Sequence, residues 1–104
     1  MALTRAVIKI NFQRAMQQAA ELDDIADDLS RMSKSDFENT MQNVSANWKG
    51  ENARKYLAKG DRLQGNMNST VNSLHNIASE IRRVAKRIYD AEMSALEIAQ
   101  RRDY

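Results

Sequence analysis

Small or apolar residues recur along the second half of the chain at Gly60, Leu63, Met67, Thr70, Leu74, Ile77, Ile81, Val84, Ile88, Ala91, Ala95 and Ile98. The intervals alternate three and four without a slip. That spacing is the seam of a helix packed lengthwise against other helices, and strand alternation does not fit it. It predicts one helix over about residues 51–99, followed by a short C-terminal tail. At ~1.5 Å per residue its length is on the order of 70 Å.

The first half repeats the pattern less cleanly. Ile8, Phe12, Ala15, Ala19, Leu22, Ile25, Leu29 and Met32 form one stripe, and Phe37, Met41, Val44 and Trp48 resume it after a shift at Ser33-Lys34-Ser35. Ser35 and Glu38 there fit a capping box, the signature of a new helix start. No Gly or Pro enforces a stop, so we read one helix over about residues 4–46 with a stutter rather than a break. Asn, Ser and Gly then cluster around Asn43–Glu51. Gly50 accepts a backbone conformation closed to other residues, and Glu51 suits the positive end of the following helix. The turn is placed at about residues 47–50.

The chain is therefore read as a single all-α domain over residues 1–104, a helix-turn-helix hairpin. A hairpin of this size buries little surface by itself. Staples are missing: the 104 residues contain no cysteine and a single histidine, His75. Disulfides, thiolate nucleophiles and multi-histidine metal sites fall away together. Association is the remaining route, and two hairpins side by side make an elongated four-helix bundle. Its expected seam includes Leu22, Ile25, Leu29, Leu63, Met67, Leu74, Ile77, Ile81, Val84 and Ile88.

Charge adds little. There are 16 basic and 14 acidic residues, a net of +2, too small a surplus to indicate nucleic acid. The basic run Arg82-Arg83, Lys86-Arg87 flanks seam residues and reads as a solvated border rather than a nucleic-acid or lipid patch. Asp23-Asp24 and Asp27-Asp28 likewise read as a solvated face, because a straight helix cannot wrap them around a cation. Antiparallel pairing would set them near residues 69–76, away from the basic run, and no ion pair within the hairpin is expected. His75, among polar neighbours, reads as a surface or rim residue. No phosphate-binding glycine loop occurs, and no constellation of residues supports catalysis. No cofactor and no small-molecule substrate are expected. The N-terminus has no apolar core of a signal peptide, and no apolar run reaches the ~20 residues of a membrane span.

Trp48-Lys49-Gly50 lies midway along the chain, in its only tight turn. With the chain length, the two-helix pattern and the absence of cysteine, it resembles the WXG family, small helical hairpins exported by type VII secretion systems. The resemblance covers essentially the whole chain. It implies a non-enzymatic, virulence-associated substrate or co-secreted adaptor, secreted without a cleaved signal peptide or held at the cell surface. Its implied partners are a second copy, a related hairpin or the N-terminal domain of a larger toxin, together with the type VII export ATPase. In such families a Trp-x-Gly turn joins the partner's C-terminal Tyr-x-x-x-Asp/Glu as a composite export signal. This sequence departs from that pattern, since Tyr89 is followed four residues later by Met93. Glu92, with Tyr89 or Ile88 beside it on the helix, is the nearest fit. The expected docking residues are Trp48, Gly50, Ile88, Tyr89 and Glu92. A cytoplasmic helical adaptor, or an amphipathic membrane- or nucleic-acid-binding protein, is the alternative.

Overall fold

The computed structural model describes residues 3–102, all of them helical except 3–4 and the turn at 48–50. Helix α1 covers Arg5–Arg31, a π-helical turn Met32–Phe37, α2 Glu38–Asn47 and α3 Glu51–Arg102. Thr4 opens α1 by accepting the Val7 N–H on its hydroxyl at 3.2 Å, which satisfies one of the free amides of the first turn. Helix α3 starts with Glu51 and ends with Arg101 and Arg102, charges that complement its dipole at both ends. It continues past the expected end near Ala99, so residues 100–102 are helical rather than tail. Among the described residues no helix is long and apolar enough to cross a membrane.

The chain folds as two compact units. The terminal unit joins residues up to Leu22 with those from Asn76 onward, and the turn unit is Asp23–His75. In the terminal unit Ile8, Ala19, Ala78 and Ala85 are buried. In the turn unit the buried residues are Ala26, Ser33, Ala53 and Val71, with Gly60 beside them. Both interiors use mainly small side chains, so the paired helices approach closely. At Gly60 a Cβ would overlap Met41, whose Sδ would lie 2.7 Å away; the missing side chain is what lets Met41 seat there.

The expected seam divides on this framework. Leu22, Leu29, Met67, Leu74 and Ile81 are half-buried, whereas Ile25, Leu63, Ile77, Val84 and Ile88 are exposed. The innermost stripe of α3 instead runs through Ala53, Gly60, Val71, Ala78 and Ala85. Large side chains mark the neighbouring face.

The first half of the chain continues through the Ser33–Ser35 shift without leaving helical geometry. Its residues there adopt the π form, in which hydrogen bonds span one residue more than in an α-helix. The expected capping box does not form: Phe37, before α2, makes no side-chain cap, and the Glu38 N–H bonds to the Ser35 carbonyl. An unbroken helix has no free amides for a cap to satisfy. Ser33 is fully buried, donates its hydroxyl to Asn68 Oδ1 at 3.1 Å, and offers its carbonyl to Gln64 Nε2 at 2.9 Å.

The acidic face also needs correction. His75 Nδ1 lies 2.7 Å from Asp23 Oδ1 and its Nε2 3.4 Å from Asp27. The register places these aspartates against residues 69–76 as expected, but two of them clasp the histidine across the helix pair. A single histidine offers no pattern in sequence, and its partner is visible only once the two helices are aligned.

Candidate functional site

The turn is built in three steps. Helix α2 closes when the Trp48 N–H bonds to the Val44 carbonyl at 2.8 Å and the Asn47 side chain donates to the Asn43 carbonyl at 2.9 Å. Trp48 then adopts extended backbone, φ −124° and ψ 123°. Gly50 takes φ +116°, which a residue with a Cβ reaches only under strain. Its carbonyl accepts the Arg54 N–H at 3.1 Å and so begins α3.

This geometry leaves the indole at the surface. Trp48 is 44% exposed, so it is not a plug in the core of its own chain. Its ring tilts against Tyr56 at a centroid distance of 5.3 Å, and Lys59 Nζ lies 5.7 Å from the Tyr56 centroid. A shallow recess opens beside it, lined by Ser45, Trp48, Lys49, Gly50, Arg54 and Leu57. Aromatic surface with an N–H donor, bordered by cations, suits a partner that brings both apolar and acidic groups. Tyr56 went unnoticed in the sequence. Its spacing of eight from Trp48 crosses the turn, where helical periodicity says nothing about neighbours.

The second group lies in the terminal unit. Tyr89 turns toward α1 and stacks on Phe12 at 4.9 Å, with the rings tilted by 44°. Glu92 is half-buried, while Ile88 remains about half exposed. All three line one small cavity of about 180 Å³ with Ile8, Asn11 and Phe12. Ile88, Tyr89 and Glu92 thus meet at one place, with Tyr89 committed to its own chain and Ile88 facing outward. Phe12 was counted in the sequence as core stripe, not as part of this group.

Among the described residues no cluster of three His, Cys, Asp or Glu side chains is placed to hold a metal ion. No curated protein and no solved structure matches the chain. Residues 7–93 match the family described as WXG100, proteins of 100 residues with WXG. That span includes Trp48-Lys49-Gly50 at the observed turn as well as Ile88, Tyr89 and Glu92, and the chain belongs to the WXG100 family.

Proposed function

We propose that this protein is a non-enzymatic substrate or co-secreted adaptor of a type VII secretion system, exported folded as a pair of hairpins. The WXG100 family consists of small helical proteins associated with type VII secretion and without enzymatic activity. The observation that carries the reading for this chain is the exposed Trp48 beside Gly50 at the turn, within the matched span. Trp48 and Gly50 of one hairpin, with Ile88, Tyr89 and Glu92 of the other, form the recognised surface. The apolar residues left exposed on both units support pairing: Ile25, Leu63, Ile77, Val84 and Ile88 keep 38–55% of their surface exposed.

Export tests this directly. The wild type accumulates in the medium of an intact strain and not of one lacking the export ATPase. Trp48→Ala abolishes export while helix content measured by circular dichroism is kept. Export independent of the ATPase, or unchanged by Trp48→Ala, overturns the proposal.

A further inference from the structure

Within the terminal unit, α1 and α3 leave a cavity of about 180 Å³ between them. Helix α1 contributes Ile8, Asn11 and Phe12 to its lining, and α3 contributes Ile88, Tyr89 and Glu92. The Phe12 and Tyr89 rings, 4.9 Å apart, give it an aromatic side. A protein cavity of ~150 Å³ holds benzene, so this one has room for a ligand group of about six heavy atoms.

Glu92 is the only charged residue in that lining. It is half-buried. Among the described residues it accepts no hydrogen bond and joins no ion pair. The positions three and four residues from it on α3 are Ile88, Tyr89, Ala95 and Leu96, so its own helix supplies no cation there. Lys9 of α1 lines a separate recess with Phe12, Gln13 and Tyr89.

A carboxylate partly withdrawn from water and left unpaired is short of solvation, and a cation restores it. The rings beside it add a second attraction, because aromatic faces draw cations. An anion would meet the wrong charge, and a purely apolar group would leave the carboxylate uncompensated. The shape that satisfies walls and charge together is a slender aliphatic stem with a compact cation at its tip, which describes lysine.

We propose that this cavity binds the side chain of a lysine presented by a protein partner, with the stem against the apolar walls and the ammonium on the Glu92 carboxylate. That the lysine comes from a protein rests on the reading of Ile88, Tyr89 and Glu92 as part of a recognised surface. The preference for a cation rests on the cavity alone.

The test titrates N-acetyl-lysine amide into the isotope-labelled chain at neutral pH and about 50 mM salt, where charges are weakly screened. Amide NMR shifts move at Asn11, Ile88 and Glu92, with a dissociation constant on the order of 1 mM. N-acetyl-norleucine amide, which keeps the stem and lacks the charge, binds about five-fold more weakly or worse. Glu92→Gln brings the two probes level, while Glu92→Asp keeps the preference for lysine; circular dichroism checks that both variants stay helical. Absence of localised shifts, equal binding of the two probes to the wild type, or a lysine preference that survives Glu92→Gln overturns the proposal. Cadaverine, a free diamine, binding about a hundred-fold more tightly than the lysine probe would assign the cavity to a small molecule and overturn it as well. A positive titration with export independent of the ATPase keeps the lysine site and removes the secretion reading. A failed titration with ATPase-dependent export does the reverse.

Discussion

The two units solve one packing problem with different chemistry. In the terminal unit the interior is apolar: Ile8, Ala19, Ala78 and Ala85 close the helix pair, and Phe12 meets Tyr89. In the turn unit small apolar residues share the interior with a polar set. There Ser33 bonds to Asn68 and Gln64 bonds to the Ser33 backbone, while at the exposed edge of the helix pair His75 lies between Asp23 and Asp27. Apolar contact is indifferent to sliding by a turn, whereas a hydrogen bond fixes which residues meet. The difference teaches that one unit contributes mainly burial and the other mainly register, the best-attested use of buried polar groups between helices.

The comparison breaks most readily at Ile8, which is 1% exposed. Ile8→Ala should cost ~2–4 kcal/mol through lost burial and the cavity left behind, read as a lower midpoint in urea. A loss below ~1 kcal/mol would mean that apolar closure does not dominate the terminal unit. A smaller effect is expected at Ser33. Ser33→Ala should cost about 1 kcal/mol by removing a partner from Asn68, and adding Asn68→Leu should recover most of it. If the double variant is instead much less stable than either single one, the bond is not a register device that apolar residues can replace. The smallest effect concerns Glu80. The hydrogen bond from Arg83, together with the Arg83 and Arg87 charges, holds its carboxyl below the usual carboxylate range. A lowered carboxylate contributes stability above its ordinary value and loses it as the pH falls through its folded value. Arg83→Ala should raise the Glu80 titration midpoint in carbon-detected NMR and lower the midpoint of urea unfolding at neutral pH only marginally, because the pair is exposed to solvent.

Much of the fold could be read from the chain because its rules are local. Alternating intervals of three and four gave the helices, and Asn47-Trp48-Lys49-Gly50 gave the turn. Which stripe of α3 lies innermost could not be read the same way. Hydrophobic pattern weights Leu63, Ile77, Val84 and Ile88, but close approach of two helices selects Ala53, Gly60, Ala78 and Ala85. The large residues are left at the surface. The candidate site was legible where a motif named it, at Trp48 and Gly50. It was hidden where contacts join separate stretches of chain, as with Trp48–Tyr56, Phe12–Tyr89 and His75–Asp23.

The π-helical turn has a consequence for how the chain tolerates changes of length. It holds one more residue than an α-helical turn would, and so takes up the slip in spacing between Leu29 and Phe37. The slack is stored at one place. A single deletion between Met32 and Phe37 would let the stretch relax into ordinary α-helix, with Ile8 through Leu29 and Met41 through Trp48 keeping their present sides. The same deletion near the middle of α3 would find no slack, and every residue beyond it would swing about 100° around the axis.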